Sequence, residues 1–404
     1  MESDYGRVAA KAMPGDAGAM PLKSLETIIG DAYYRSGCRP FSLAVADRLQ
    51  HVYVVGQTGV GKSTLLAQLA EQDLKAGRSV FLLDPHGDLV GTLARLFPAC
   101  VYWNVADPAC PYGYNPLAHV IESHRPLVAS GLIETLKQQW ADAWGPRMEH
   151  LLRYALLALL SVPDTDLRDV LPLFIDKDYR RRVVGRITDP QVRWFWETEF
   201  KALRYDRTLD GLSPIANKLG AFLAHPLVRQ TICTPKEPLR FRRMMDQGQG
   251  LLVNLATGRL GADAANVLGG LVLSSIAHAG YSRADTPSDE RTACFVYVDE
   301  FASFSTLSLA TMLPQLRKYG VGLTLCHQYL EQLDRNIAAA VFGNAGNILV
   351  FRVGAPDMTL LAAQLGIEEP ERLLGLRNYE CLARVMVNGE RTPAFSTILT
   401  SVGG

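Results

Sequence analysis

A glycine-rich loop near residue 60 is the clearest chemical signal in the sequence. Residues 56 to 63 read GQTGVGKS, the pattern of a phosphate-binding loop, between an apolar run and a helical stretch. In such a loop, backbone N–H groups at a helix N-terminus surround the β-phosphate of a nucleotide. We expect Lys62 to neutralise the β- and γ-phosphates and the Ser63 hydroxyl to ligate Mg²⁺. The predicted nucleotide-binding residues are Gly56, Gln57, Thr58, Gly59, Val60, Gly61, Lys62, Ser63 and Thr64.

Two adjacent acids end a second apolar run. Residues 295 to 300 read FVYVDE, which predicts a buried strand that ends in Asp299 and Glu300. We expect Asp299 to hold Mg²⁺ and its water shell, and Glu300 to act as the general base on the attacking water. On its own, such a pair is more often an exposed acidic turn. The phosphate-binding loop upstream favours the catalytic interpretation.

A third run, residues 321 to 326, is followed by His327 and Gln328. A glutamine after a strand next to the metal site is well placed to sense the γ-phosphate or to orient the water, which predicts a catalytic role for Gln328. For His327, packing or capping is the favoured interpretation over proton transfer. The adjacent Asp-Glu pair and this polar strand end are typical of ATPases that convert hydrolysis into movement.

Two arginines are candidates for stabilising charge in the transition state. Arg317 precedes the third run, and we expect it at the surface, within reach of the γ-phosphate of a neighbouring subunit. Arg352 ends the run at 347 to 351 and is predicted to act within its own subunit. An arginine in this role contributes about 10³ to 10⁵ in rate. For each residue the alternative is a surface salt bridge.

The sequence also limits the class of nucleotide enzyme. A GTPase should contain an Asn-Lys-x-Asp motif, and the nearest match, NKLG at 217 to 220, lacks the aspartate. The segment DPHGD at 84 to 88 closes another apolar run at the sheet edge where ligands bind in open α/β folds. Its acids either bind the metal shell or shape the loop, and both alternatives remain open.

Apolar runs alternate with helical stretches, which predicts an α/β fold with a mostly parallel, helix-flanked sheet. Continuous apolarity indicates strands that are buried on both faces. Helical periodicity without a buried strand predicts an all-helical insertion domain at 130 to 245. Residues 23 to 129 and 246 to 404 then form the nucleotide-binding domain, after a mobile tail at 1 to 22. The predicted strands lie at 52–55, 79–83, 100–105, 250–255, 294–298, 321–326, 347–351 and 381–387.

Charge is balanced overall but distributed unevenly. The 404 residues contain 41 Lys and Arg and 41 Asp and Glu, so no net charge draws the whole molecule to nucleic acid or anionic lipid. Residues 147 to 243 hold 18 Lys and Arg against 12 Asp and Glu. The helical segment also contains four of the five tryptophans, a combination that suits stacking on nucleic acid. Tryptophans at helical spacing are more often core residues, and most of the arginines are expected on a solvated face.

The cysteines and the apolar runs of the sequence indicate in which cellular compartment the protein is expected. The seven cysteines are scattered and form no C-x-x-C pair, so neither a disulfide framework nor a zinc site is indicated. A reducing compartment fits best. The longest apolar run, residues 155 to 162, is much shorter than the roughly 18 residues of a membrane-spanning helix. We therefore expect a cytoplasmic protein without a membrane span of its own.

Taken in order, the motifs resemble those of a known family. They include GQTGVGKSTLL, LLDPHGDLV, WGPRMEHLLRYALLALL, NKLGAFL, LLVNLATGRLG, YVDEF, LRKYG, CHQYLEQLD and FGNAGNILVFRVG. This series is similar to the motor domain of type IV secretion coupling ATPases, the TraG/TraD group of the HerA/FtsK superfamily of P-loop motors. The resemblance covers residues 22 to 395. The ordered set, with the helical insertion between the third and fourth strands, is specific.

The resemblance implies a RecA-like P-loop motor that hydrolyses ATP with Mg²⁺ at the subunit interfaces of a homo-hexamer. It implies that single- or double-stranded DNA passes through the ring pore, with a relaxase and type IV secretion channel proteins as partners. By this resemblance, Lys62 and Ser63 match the phosphate loop and Asp299 matches the metal ligand. Glu300 matches the general base, Gln328 the sensor and Arg317 the arginine finger. Members usually have N-terminal transmembrane helices. Because none is recognised here, we expect peripheral docking at the inner face of the cell membrane through partners.

Three other functions stay open at this point. One is a HerA-like helicase motor, although fewer residues precede the phosphate loop than the N-terminal β-barrel of HerA proteins requires. Another is a secretion-assembly ATPase that moves protein rather than DNA. The third is a non-enzymatic scaffold that binds ATP and recruits a relaxase or secretion partner. Intact Lys62, Asp299 and Glu300 argue against the scaffold.

Overall fold

A large mixed sheet organises the computed structural model, which describes residues 26–34, 37–202 and 212–399. The tail predicted at residues 1 to 22 lies outside the described residues. The strands are β1 (Glu26–Tyr34), β2 (Gly37–Ala44), β3 (Val52–Val55), β4 (Ser79–Asp84), β5 (Val101–Asn104), β6 (Tyr112–Gly113), β7 (Glu237–Pro238), β8 (Gly250–Asn254), β9 (Cys294–Val298), β10 (Val321–His327), β11 (Asn347–Val350), β12 (Glu380–Arg384), β13 (Met386–Val387), β14 (Glu390–Arg391) and β15 (Phe395–Ile398).

The helices cover both faces of this sheet and form a long segment between β6 and β7. They are α1 (Val45–Arg48), α2 (Lys62–Lys75), α3 (Asp88–Leu96), α4 (Arg125–Gln139), α5 (Pro146–Leu160), α6 (Val170–Ile175), α7 (Lys177–Val184), α8 (Pro190–Trp194), α9 (Phe200–Ala202), α10 (Leu212–Ala224), α11 (Pro226–Ile232), α12 (Phe241–Asp246), α13 (Thr257–Leu260), α14 (Ala262–Ser282), α15 (Leu307–Leu316), α16 (Arg335–Asn344) and α17 (Ala355–Leu365). Within the described ranges, none of them combines the length and the apolar character needed to cross a bilayer.

The central strands are parallel, as the continuous apolar runs predict. The order is β2-β1-β15-β12-β11-β3-β10-β9-β4-β8-β5, and neighbours from β11 to β5 pair in parallel. Side chains of β3 alternate between two apolar clusters, with Tyr53 and Val55 in one and Val52 and Val54 in the other. Helices α2 and α3 cover the second cluster, while α14 and the helical segment cover the first. Cover on both faces is what a parallel sheet requires.

The other end of the sheet is antiparallel, and this corrects the prediction for residues 381 to 387. The strand there is β12, residues 380 to 384, and it runs antiparallel to β11. β15, β1 and β2 continue the antiparallel pairing and were not predicted. In β1, buried Thr27 and Ile29 alternate with exposed Glu26 and Ile28, so the strand lacks a continuous apolar run. β12 runs opposite to β3, and β15 runs opposite to β12, so β12 begins and β15 ends at the edge where β3 ends.

The segment from α4 to α12 is helical apart from β7, which pairs with β6. Trp140 and Trp196 are buried, as expected for core residues, whereas Trp194 is 48% exposed. The first helix, α4, packs closely on α14. A Cβ atom at Gly131 would lie 2.5 Å from Nε2 of His278, and one at Gly270 would lie 2.7 Å from Cγ2 of Thr135. The domain boundaries at 130 and 245 stay a prediction.

A buried ionic cluster connects α2 to the β1–β2 hairpin. The Arg48 guanidinium donates to both carboxylate oxygens of Asp73, at 2.7 and 2.8 Å, and to Oγ1 of Thr27 at 2.7 Å. Arg78 donates to the same carboxylate at 2.7 Å. Burial alone would raise the pKa of Asp73, but the two arginines hold this pKa below its usual value. The cluster anchors the C-terminal part of α2, the helix that begins at the phosphate-binding loop.

Three buried histidines make the stability of the fold sensitive to mild acid. Burial lowers the pKa values of His51, His278 and His327 to about 4, so all three are neutral in the folded state at pH 6. His51 accepts the N–H of Leu323 at Nδ1, and its Nε2 lies 2.8 Å from the carbonyl oxygen of Leu313. The unfolded chain binds protons near pH 6.5, before the folded state does. Stability is therefore lost as the pH falls from about 6.5 to about 4.

We expect each of these histidines to add at most about 1.4 kcal/mol per pH unit to the slope of the unfolding free energy in that range. Urea unfolding at a series of pH values measures the slope. His278→Leu should reduce the slope, because it removes one titrating group. An undiminished slope in His278→Leu would contradict this assignment.

Candidate nucleotide-binding and hydrolysis site

The phosphate-binding loop connects the end of β3 to the start of α2. Gly59 and Gly61 have φ values of +78° and +114°, a region that glycine adopts without steric cost. The Lys62 ammonium donates to the carbonyl oxygen of Gln57 at 2.9 Å, across the loop, and Lys62 is 7% exposed. The geometry is that of a backbone cradle for an anion at a helix N-terminus. All nine residues predicted to bind the nucleotide, Gly56 to Thr64, lie in this loop or the first turn of α2.

The two predicted metal ligands are in direct contact. The Ser63 hydroxyl, in the first turn of α2, donates to Oδ2 of Asp299 at 3.0 Å. Asp299 directly follows β9 and is 7% exposed. Burial raises its pKa, and the charges of Glu300 and Asp84 add to this effect, while the hydrogen bond from Ser63 opposes it. A hydroxyl and a buried carboxylate near other acids fit Mg²⁺, which prefers oxygen ligands and would relieve the repulsion between the carboxylates.

The predicted base and the predicted sensor are linked to the loop by side-chain hydrogen bonds. Gln328, which follows β10, donates from Nε2 to Oε1 of Glu300 at 2.8 Å. Its Oε1 accepts the hydroxyl of Thr58 at 3.0 Å. Glu300 itself has a left-handed backbone, with φ +49°, and its N–H donates to Oδ1 of Asp299 at 3.0 Å. Such backbone strain is concentrated at functional sites. The chain Thr58–Gln328–Glu300 therefore spans from the loop to the acidic strand end.

The DPHGD segment has a loop-shaping role in the structure. Asp84 accepts the N–H groups of His86, Leu89 and Val90 at 2.9, 2.9 and 3.2 Å. These bonds occupy both carboxylate oxygens and fix the entry to α3. Asp84 still contributes negative charge to the site, because it raises the pKa of Asp299.

Arg352 lies at the loop, and its donors hold a neighbouring segment. Its Nε donates to Oε1 of Gln57 at 3.2 Å, and its Nη2 donates to Oδ1 of Asn378 at 3.0 Å. The remaining bond goes from Nη1 to the carbonyl oxygen of Leu376 at 3.2 Å. The structure thus joins Arg352 to the site of its own chain, on the side of β11 and β12. A catalytic role for Arg352 stays a prediction.

Arg317 lies at the opposite edge of the sheet. It follows α15 and precedes β10, is exposed, and is close enough to His51 for its charge to lower the pKa of that histidine. His51 precedes β3, whereas the phosphate-binding loop follows β3. The seven residues of β10 separate the two edges, a distance of about 20 Å. Within one chain, Arg317 is therefore not part of the site, and its predicted role requires a second chain.

One segment beside the loop was not found from the sequence. The N–H of Tyr379 donates to the carbonyl oxygen of Val60 at 2.7 Å, so residues 376 to 379 line the loop on the side away from β10. These residues are more than 300 positions after the loop and contain no motif. Only the antiparallel direction of β12 brings them to this edge.

Comparisons with known proteins bear on the fold that carries this site. Residues 28–137 match a family model described as the helicase HerA, central domain. No curated protein matches the chain. The unbound bacterial conjugative coupling protein TrwB, without its first 70 residues, superposes with a TM-score of 0.65 at 18% identity, over 89% of this chain and 86% of that chain. The fold is similar to that of TrwB.

Two further structures extend this comparison. VirB4 of Thermoanaerobacter pseudethanolicus matches with a TM-score of 0.64 at 14% identity, over 93% of this chain and 96% of that chain. Plasmid coupling protein TrwB in complex with a non-hydrolysable ATP analogue matches with a TM-score of 0.62 at 20% identity, over 88% of this chain and 86% of that chain. At these identities the similarity establishes the RecA-like P-loop fold with its mostly parallel sheet.

Proposed function

We propose that the protein is an ATP-hydrolysing motor that translocates DNA in conjugative transfer or type IV secretion. The hydrogen-bonded chain from Thr58 through Gln328 to Glu300, next to the Ser63–Asp299 pair, carries this proposal. It joins a phosphate cradle, a metal site and a base on three adjacent strand ends. The similarity to TrwB, a conjugative coupling protein, over most of both chains supports the setting in conjugation.

Each residue has a defined task in hydrolysis. The loop N–H groups and Lys62 bind the β- and γ-phosphates of ATP. Ser63 and Asp299 hold Mg²⁺, which supplies charge neutralisation at the phosphates. Glu300 takes a proton from the attacking water, and Gln328 keeps the Glu300 carboxylate oriented through its 2.8 Å hydrogen bond. Gln328 also contacts Thr58 of the loop. A change in the loop when phosphate binds is therefore transmitted through Gln328 to the carboxylate of Glu300.

The position of Arg317 supports a ring, which we propose to be a homo-hexamer. Head-to-tail interfaces bring different surfaces of neighbouring subunits together. A cavity of about 350 Å³ beside the loop includes Thr58, Gln328, Glu331 and Asp357 in its lining. Its two acids complement the charge of an entering arginine. We propose that Arg317 of one subunit enters this cavity in the next and approaches the γ-phosphate.

DNA binding is proposed for the ring pore, with contacts from the basic helical segment. Residues 147 to 243 carry the excess of Lys and Arg, although many of these residues pair with acids at the surface, such as Arg181 with Asp178. A relaxase and type IV secretion channel proteins are the proposed partners. Peripheral docking at the inner face of the cell membrane through these partners completes the proposal.

The second candidate is a secretion-assembly ATPase that moves protein. The similarity to VirB4 covers a larger share of both chains than the similarity to TrwB. Both similarities concern the fold, so the effect of DNA on turnover is the observation that separates the two functions.

Steady-state ATP hydrolysis at two salt concentrations, without DNA, with single-stranded DNA and with duplex DNA, tests the proposal. We expect DNA to stimulate turnover and the stimulation to fade with added salt, because phosphate contacts release counterions. Glu300→Gln serves as the blank. If DNA does not change the rate of ATP hydrolysis and does not bind to the protein, the protein-moving ATPase is favoured. Nucleotide binding with no turnover above the blank under any condition would favour the scaffold.

A further inference from the structure

The arrangement of the strand ends assigns a direction to a bound nucleotide. The metal pair and the base follow β9, and the sensor follows β10, so the γ-phosphate end of ATP lies on that side of the loop. In the sheet, β10 and β9 are on one side of β3, and β11 and β12 are on the other. The nucleoside end must therefore leave the loop towards β11 and β12. The segment of residues 376 to 379, which precedes β12, lies on this side.

Tyr379 occupies this side in an unusual conformation. Its φ is +67°, a left-handed conformation that is rare for a bulky residue. The ring lies directly against the loop, since a Cβ atom at Gly61 would be 2.8 Å from Cδ1 of Tyr379. Tyr379 nevertheless remains 48% exposed. The backbone of Tyr379 is strained, and its aromatic ring lies at the loop and is open to solvent. This combination suggests a binding surface.

The surrounding hydrogen bonds fix the backbone that carries this ring. The N–H of Tyr379 donates to the Val60 carbonyl at 2.7 Å, and its carbonyl accepts the N–H of Leu399 at 2.9 Å. The preceding residue, Asn378, accepts from Arg352 at 3.0 Å. The following residue, Glu380, accepts the hydroxyl of Tyr33 at 3.0 Å. The backbone of Tyr379 is thus held between the phosphate-binding loop and the end of β15, which preorganises the ring for a ligand.

We propose that the ring of Tyr379 is the stacking platform for the nucleotide base. This inference rests on the proposed nucleotide site and deepens it. Stacking on an aromatic ring tolerates any base, because every base has a π-face. The platform would therefore hold adenine and guanine nucleotides alike, and Tyr379 acts in binding rather than in the chemical step. Arg352 has a positioning role, because it holds the segment that carries the ring.

Calorimetric titration of the full chain with two ligands, in the presence of Mg²⁺, tests whether Tyr379 stacks on the base. The ligands are ADP, which has a base, and inorganic tripolyphosphate, which has none. We expect Tyr379→Ala to weaken ADP binding about 10- to 100-fold, the effect of losing one base stack, and to leave tripolyphosphate binding unchanged. Tyr379→Phe keeps the ring and should bind both ligands as the wild type does. A 2-aminopurine nucleotide should lose fluorescence on binding to wild type and Tyr379→Phe, but not to Tyr379→Ala.

Two outcomes would overturn the platform and leave the nucleotide site intact. If Tyr379→Ala binds ADP as tightly as the wild type, the base lies elsewhere. If the variant loses equal affinity for ADP and tripolyphosphate, the ring only supports the loop at Gly61. Failure of the proposed nucleotide site has a different signature. In that case the wild type binds neither ligand, and Lys62→Ala changes nothing.

Discussion

Arg317→Ala is expected to bind ATP with wild-type affinity and to hydrolyse it about 10³-fold more slowly, at the lower end of the range for an arginine finger. Binding persists because Arg317 lies at the sheet edge opposite the loop of its own chain. Hydrolysis slows because each site then lacks the arginine that, in the proposed ring, the neighbouring subunit supplies. Steady-state hydrolysis and calorimetric ATP binding measure the two effects. The adjacent exposed Lys318 provides the matched control, since Lys318→Ala should keep both properties.

Mixed rings decide whether Arg317 acts between subunits. Arg317→Ala subunits retain Glu300, and Glu300→Gln subunits retain Arg317. In an equal mixture, about a quarter of the head-to-tail interfaces combine an intact base with an intact arginine. Activity should therefore reappear when the two inactive proteins are mixed. A mixture as inactive as its components, in rings shown to exchange subunits, would contradict a role in trans.

Glu300→Gln is expected to reduce hydrolysis about 10²- to 10⁴-fold, the contribution of a general base, with ATP affinity nearly unchanged. The amide oxygen of the new side chain still accepts from Nε2 of Gln328, so the hydrogen-bonded chain to Thr58 persists. The amide cannot take a proton from water. Single-turnover hydrolysis with saturating ATP isolates the chemical step from binding.

The control for this substitution is an acid at the other end of the same strand. Glu290 is exposed and precedes β9, whereas Glu300 follows it. Glu290→Gln removes the same charge and should hydrolyse ATP at the wild-type rate. Wild-type hydrolysis by Glu300→Gln would exclude Glu300 as the base and point to a different proton acceptor. Loss of ATP binding in this variant would indicate a structural role instead.

Much of the candidate site is predictable because its parts are contiguous. The loop from Gly56 to Ser63 requires only glycines at its turns, a strand before it and a helix after it, and all three signals are local. The buried run before Asp299 likewise identifies a strand end at the sheet edge where ligands bind. Parallel strands bring their carboxyl ends to one edge. The fold class therefore places Ser63 and Asp299 at the same edge, and the strand order brings them to 3.0 Å.

Other parts of the molecule have no such local signal. The apolar residues of β12 show that a strand is present but not its direction, because both directions bury the same side chains. The hairpin of β1 and β2 has one exposed face and lacks a continuous apolar run. The buried pairing of Arg48 with Asp73 joins residues 25 positions apart, and nothing in either residue's neighbourhood identifies the partner.

By itself, the sequence determined the phosphate-binding loop, the acidic strand end, the polar end of β10 and the parallel core of the sheet. Each depends on residue types at fixed spacing along a few consecutive positions. Only the tertiary structure decided that Gln328 connects Thr58 to Glu300, that Arg317 lies away from its own site, and that Tyr379 lies against Gly61. These features depend on the order and direction of strands that are distant in the chain. Long-range pairing sets both, and no local pattern encodes it.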